Sequence, residues 1–134
     1  MQWHGWATIV ASPGVEDDEA ADRAQRRAEQ AVAALVERVR SARSDNEFYD
    51  VRSHNGWYQL AFNGSHNRYP ASGGPVEFAR DVAGVAVGSY GILYILDEDV
   101  SYDWQRWVMR RGHLTLERDD SLSPHIGKVE DADA

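Results

Sequence analysis

One almost unbroken apolar run reads Gly88-Ser89-Tyr90-Gly91-Ile92-Leu93-Tyr94-Ile95-Leu96 and ends abruptly at the carboxylates of Asp97, Glu98 and Asp99. A short apolar run bounded by polar residues is typical of a buried strand. We predict that this strand is central in a sheet and covered on both faces. Accordingly, Tyr90, Ile92 and Tyr94, together with Trp6 on another predicted strand, are expected to be structural rather than to contact a partner.

Two helical patterns precede this run. The longer one spans roughly residues 17–42, and its small apolar residues recur at spacings of three and four: Ala21, Ala24, Ala28, Ala31, Leu35, Val39 and Ala42. The shorter one spans roughly residues 75–87 and begins at Pro75, a residue suited to the first helical position. Its apolar stripe contains Val76, Ala79, Val82, Ala83 and Ala86. We expect both stripes to pack on the sheet.

Further strands are indicated by alternating and aromatic segments. Residues 3–11 form the first, and residues 47–53 and 57–63 form a hairpin around Asn55-Gly56, a strong turn signal. Residues 104–111 and 113–118 form a second hairpin, which turns at Gly112. The order β-α-β-β-α-β-β-β predicts an α+β fold, with a mostly antiparallel sheet covered by two helices. We expect a single domain over residues 1–134, ordered from about 3 to 130, with an acidic C-terminal tail.

Composition narrows the class of protein. A length of 134 residues suits one domain, and 43% hydrophobic residues favour a folded chain despite a net charge of −8. The sequence has no cysteine and no long apolar segment, and its first twelve residues lack the basic and apolar pattern of a secretory leader, so we expect a cytoplasmic protein without membrane attachment. Acidic residues number 22 against 14 basic ones. Such a surface repels nucleic acid and attracts a basic protein.

The sequence carries no recognisable catalytic motif. Its five histidines are dispersed, and the common nucleophile, phosphate and dinucleotide signatures are missing, so no catalytic residue, metal or cofactor is predicted. The alternative is a small hydrolase or nuclease-like enzyme that uses His66 as a base and Arg68 as a phosphate clamp, although a polar loop explains these residues better. The acidic pairs Asp97/Asp99 and Asp119/Asp120 are interpreted as exposed carboxylates at strand ends.

Aromatic residues suggest where a partner binds. The chain has five tryptophans and six tyrosines, and such side chains dominate protein-binding hot spots. Trp104 and Trp107 are three residues apart on one predicted strand and therefore lie on opposite faces. At least one should face outward, close to the carboxylates that follow the apolar run. We predict a partner-binding site formed by Asp97, Glu98, Asp99, Tyr102, Asp103 and Trp104.

Three segments resemble a known family. They are His4-Gly5-Trp6-Ala7-Thr8, Gly88-Ser89-Tyr90-Gly91-Ile92-Leu93-Tyr94 and Leu122-Ser123-Pro124-His125-Ile126. Together, in this order, they are similar to the immunity protein 7 family of bacterial polymorphic toxin systems, over residues 3 to about 130. The resemblance carries over no catalytic residues.

The resemblance implies an α+β immunity protein that is encoded beside a secreted toxin and blocks it by direct binding. The partner would be the C-terminal domain of the cognate toxin, expected to be basic, with nucleases among the toxin classes that fit. Besides the enzyme that uses His66 and Arg68, a structural subunit that oligomerises through the aromatic surface stays open as an alternative.

Overall fold

The computed structural model describes residues 1–12, 18–42, 46–67 and 74–124. Its elements are β1 (Gln2–Thr8), α1 (Asp18–Ala42), β2 (Glu47–His54), β3 (Trp57–Ser65), α2 (Pro75–Val85), β4 (Tyr90–Leu96), β5 (Gln105–Arg110) and β6 (His113–Arg118). This order is the predicted one. The expected acidic tail, residues 130–134, lies outside the described residues. Neither of the helices in the described ranges combines the length and the hydropathy needed to span a bilayer.

The six strands form one antiparallel sheet in the order β2-β3-β1-β4-β5-β6. The first strand of the chain therefore lies inside the sheet, between β3 and β4. Trp6 of β1 pairs with Ala61 on one side and with Ile92 on the other. β4 also has a neighbour on each side, as predicted for a central strand. The α+β class with an antiparallel sheet is confirmed.

The core lies between one face of the sheet and the two helices. The sheet contributes the buried residues Trp3, Ala7, Leu60, Phe62, Leu93 and Ile95, and the helices contribute Ala28, Val32, Val36, Phe78, Ala79 and Val82. At its centre the rings of Tyr49, Phe62 and Phe78 pack with centroids 4.8 to 5.8 Å apart. Burying each large apolar side chain contributes about 1.5–3 kcal/mol, so this layer dominates stability.

The buried line of α1 differs from the predicted stripe. Ala28, Val32 and Val36 are buried, whereas Ala42 is exposed and the other predicted residues are half-buried. The apolar stripe is wide. Most of the predicted residues lie along its edge, whereas the buried residues lie at its centre. The side-chain amide of Gln25, one turn before Ala28, donates to the carbonyl of Ile9 and accepts from the amide of Ala11, both at 2.9 Å. This helix therefore also satisfies backbone groups that follow β1.

The remaining predictions for local structure hold closely. All five residues of the predicted α2 stripe are buried, although the helix ends at Val85. Both hairpins turn where predicted: the backbone φ is +51° at Asn55 and +85° at Gly56, and +54° and +79° at the two residues before β6. Two consecutive residues with positive φ are what a tight hairpin turn requires, because this turn matches the twist of the flanking strands.

The other face of the sheet, here called the open face, carries no helix in the described part of the chain. The prediction that β4 is covered on both faces is therefore wrong for the start of the strand, although Leu96 at its end is fully buried. Gly91, Leu93 and Ile95 point into the core, but Tyr90 is 45% exposed on the open face. Trp6, also predicted to be structural, is 48% exposed there and meets Tyr90 edge-on at 6.4 Å. Two helices suffice to cover only one face of six strands.

Candidate functional site

The residues that connect β4 to β5, residues 97–104, form a compact acidic segment. Its backbone is held by two turn hydrogen bonds, in which the amides of Val100 and Ser101 donate to the carbonyl of Asp97 at 2.9 and 3.0 Å. The Asp97 carboxylate accepts from the amide of Asp99 at 3.2 Å, and the Ser101 hydroxyl accepts from that of Asp103 at 3.0 Å. Short polar side chains therefore fix the shape of this segment locally.

The side chains of the acidic segment mostly face solvent. Glu98, Asp99 and Asp103 are exposed, and Tyr102 is 54% exposed, whereas Asp97 is half-buried. Four carboxylates within eight residues give this end of the sheet a strongly negative potential. A potential of this kind raises the rate at which a basic protein finds the surface.

The structure distributes the predicted site residues over two depressions. One, of about 540 Å³, is lined by Asp97, Asp103 and Trp104 together with Glu117, Asp119 and Asp120. The other, of about 450 Å³, has Glu98 opposite His4 and Asn63 of the open face. Asp99 and Tyr102 line neither. The sequence predicted Asp97, Asp103 and Trp104 as site residues. The carboxylates at the end of β6 join them because the hairpin of β5 and β6 brings them alongside.

Trp104 joins the acidic segment to the open face. Its ring is half-buried and packs edge-on against Tyr94 and obliquely against His4, each with centroids 6.1 Å apart. Its amide donates to the Ser123 hydroxyl at 2.7 Å. Trp107, as predicted, lies on the opposite face, where its ring is 5.5 Å from the guanidinium of Arg80 on α2. The ring of Trp104 is thus held in place by Tyr94 and His4 and does not project freely into solvent.

Asp119 was interpreted as an exposed carboxylate, and this is wrong. It is buried, and it accepts from the amides of Ser121 and Leu122 and from the hydroxyl of Ser123 at 2.9 to 3.2 Å. Burial by itself raises the pKa of this carboxyl, but the three hydrogen bonds and the nearby positive charge of Arg106 outweigh burial, so the pKa is lowered overall. Asp119 therefore fixes the chain after β6, and Asp120 beside it is exposed.

His66 occupies a structural position. Its ring stacks on the buried Trp3 with centroids 5.4 Å apart, and its Nε2 bonds to the carboxylate of Glu47. Its carbonyl accepts from the Met1 ammonium at 2.7 Å. These contacts link the start of β1, the start of β2 and the end of β3. Arg68, its suggested catalytic partner, lies outside the described residues.

A metal site is not apparent in residues 1–12, 18–42, 46–67 and 74–124, since no three histidine or carboxylate side chains there converge in the way that coordination requires. A further concavity, of about 500 Å³, lies on the open face and is lined by Trp6, Phe48, Asp50 and Arg52 among others.

The sequence did not single out these open-face aromatics as exposed. Phe48 is 49% exposed, close to the 48% of Trp6. Phe48 does alternate with Tyr49 on β2, so one of the two had to face away from the core. Alternation therefore predicts that one of these two side chains is exposed, but it does not predict which one, because it does not show which face the helices cover.

Comparison with known proteins identifies the family. The model of the family described as immunity protein 7 matches residues 1–131 of the 134. No curated protein and no solved structure matches the chain significantly. The match covers every helix and strand described above, including the acidic segment and the open face. The chain therefore belongs to the immunity protein 7 family.

Proposed function

We propose that this chain is an immunity protein that binds and neutralises a cognate secreted bacterial toxin domain, and so protects the producing cell during contact-dependent competition. Family membership over residues 1–131 is the observation that carries the proposal. The partner is the toxin's C-terminal domain, which we take to be basic because the chain bears a net charge of −8. The protein acts in the cytoplasm by binding, without catalysis or a cofactor.

The acidic segment is the proposed first point of contact. Glu98, Asp99 and Asp103 are exposed, so their charges reach into solvent and orient an approaching basic domain. Tyr102 and the supported ring of Trp104 supply apolar surface beside them. Long-range attraction sets the association rate, and the aromatic contacts, which act only after docking, set the lifetime of the complex.

Coexpression with the toxin domain encoded beside this gene tests the function. We expect the two proteins to copurify as a stoichiometric complex, and cells that express the toxin domain to survive only when this chain is present. A toxin domain from a different immunity protein's neighbourhood is the matched control and should neither copurify nor be neutralised. Copurification without protection, or protection without any complex, would contradict neutralisation by direct binding.

A further inference from the structure

An apolar row crosses the open face of the sheet. The strand register places Ala61, Trp6, Ile92 and Val108 side by side on β3, β1, β4 and β5. Neighbouring strands are about 4.8 Å apart, so the row is roughly 15 Å long. Asp50 flanks it on β2 and Thr115 on β6. A sheet face left in water is normally polar, and this row is the exception that requires a reason.

Aromatic side chains widen this row. Tyr90 meets Trp6 edge-on, and Phe48 lines the same concavity as Trp6. All three are 45% to 49% exposed, so each keeps a large apolar area in contact with water. Burial of such rings in a partner is the usual source of hot-spot energy, because they offer much area with few rotatable bonds.

Charge identifies the partner that fits. The open face continues through His4 and Tyr94 to Trp104, and hence to the acidic segment. A partner covering the apolar row therefore has carboxylates within reach at one end. A second copy of this chain, with its own charge of −8, would be repelled, and a nucleic acid would be repelled more strongly. A protein surface with an apolar centre and cationic side chains opposite the acidic segment matches both parts.

We infer that the toxin domain docks across the open face along the row Ala61, Trp6, Ile92 and Val108, with Trp6 as the central anchor. This inference rests on the proposed function and adds the surface that holds the partner. The acidic segment borders the contact, and the two helices lie on the far side of the sheet and stay free of it. The toxin surface that fits carries cationic side chains beside an apolar patch, so that cations can also lie over the exposed rings.

Ala61→Arg tests the docking surface most directly. Ala61 is exposed at the end of the row, so a long charged side chain there obstructs docking without entering the core. Ala34→Arg is its matched control: Ala34 is exposed on α1, on the opposite side of the molecule, and the change in net charge is identical. Trp6→Ala removes the anchor instead. Circular dichroism and thermal melting should show that all three variants stay folded.

Affinity for the purified toxin domain decides the outcome. We expect Ala61→Arg and Trp6→Ala to weaken binding roughly thirty-fold or more, as loss of a hot spot does, and Ala34→Arg to bind like the unchanged chain. Equal affinity in all variants would overturn the docking surface while leaving the proposed function intact. Failure of the unchanged chain to bind would instead refute the proposed function. A dimer of this chain that Ala61→Arg converts to a monomer, with toxin binding unaffected, would also overturn the inference.

Discussion

At the scale of single residues, Asp119 shows how one carboxylate can stabilise the fold in a pH-dependent way. Its pKa is lowered because three hydrogen bonds and Arg106 outweigh the effect of burial. A folded-state pKa below the unfolded value, about 3.9 for Asp, means that the carboxylate stabilises the fold fully above that pH. This contribution is lost as the pH falls through the folded-state pKa.

Asp119→Asn should therefore destabilise the protein by about 1–3 kcal/mol at pH 7, since the amide is a weaker acceptor for the surrounding donors. The difference from the unchanged chain should be smaller at a pH below about 3.9, and it should keep narrowing as the pH falls through the lowered pKa of Asp119, because Asp119 itself is then protonated. Urea unfolding at the two pH values measures both quantities. Asp120→Asn is the control: its pair with Arg118 is exposed and should matter by under about 1 kcal/mol. A gap that is the same at both pH values would refute this account.

Two glycines make opposite predictions for the same substitution. A Cβ added at Gly91 would overlap the carbonyl oxygen of Trp6 and lie 2.7 Å from the Cα of Ala7, so Gly91→Ala must push β1 and β4 apart. We expect a loss of about 1–3 kcal/mol or more. Gly84 in α2 has open space around its Cα, and Gly84→Ala should stabilise the helix by about 0.5–1 kcal/mol. Melting temperatures that shift in the same direction would contradict this contrast.

At the scale of elements, two consecutive residues of β4 lie in different environments, one in the core and one on the open face. Leu93 is 1% exposed and faces the helices, whereas Tyr94 is half-buried on the open face beside Trp104. Leu93→Ala should cost about 2–5 kcal/mol, and Tyr94→Ala only about 1–2 kcal/mol. Chemical denaturation of both variants measures the difference. Equal losses would mean that the strand is covered on both faces after all.

The elements differ in how far the sequence could predict them. Asn55 and Gly56 determine their hairpin through local backbone preference, and the stripe of α2 appears as spacing alone. The position of β1 between β3 and β4 has no local signal, because its partners are far away in the chain. The exposed face of β4 could not be predicted either. An unbroken apolar run lacks the alternation of apolar and polar residues that would indicate which face is in contact with solvent.

The candidate site shows the same division. The carboxylates after β4 stand out in the sequence because they end an apolar run, and the structure shows Glu98 and Asp99 exposed and Asp97 half-buried. The exposure of Trp6, Phe48 and Tyr90 could not be predicted, because an aromatic residue on a strand gives the same sequence pattern in a core and in an interface. Only the number and placement of the helices decide which face stays open.

At the scale of the whole molecule, the distribution of charge predicts the kinetics of binding. Neutralising Asp97 and Asp99 together should lower the association rate with the toxin domain and flatten its dependence on salt, with little change in dissociation. Trp104→Ala should instead speed dissociation. Binding kinetics at two ionic strengths measure both effects. The control, Asp22→Asn with Glu37→Gln on exposed positions of α1, removes the same charge elsewhere. An equal effect of the control would show that net charge alone steers the partner.

Because β1 lies inside the sheet, assembly of the fold must wait for most of the chain. The hairpin of β2 and β3 and the meander of β4, β5 and β6 each join strands that are neighbours in sequence, and such local closures are fast. At Gln2, β1 pairs with Ser65 on one side and Leu96 on the other, so it unites the two halves only after both have left the ribosome. Until then Trp3 and Trp6 can pair with β3, but they lack their neighbours on β4, Ile95 and Ile92. A protease that removed β1 would leave two separate pieces of sheet, since β3 and β4 do not pair with each other.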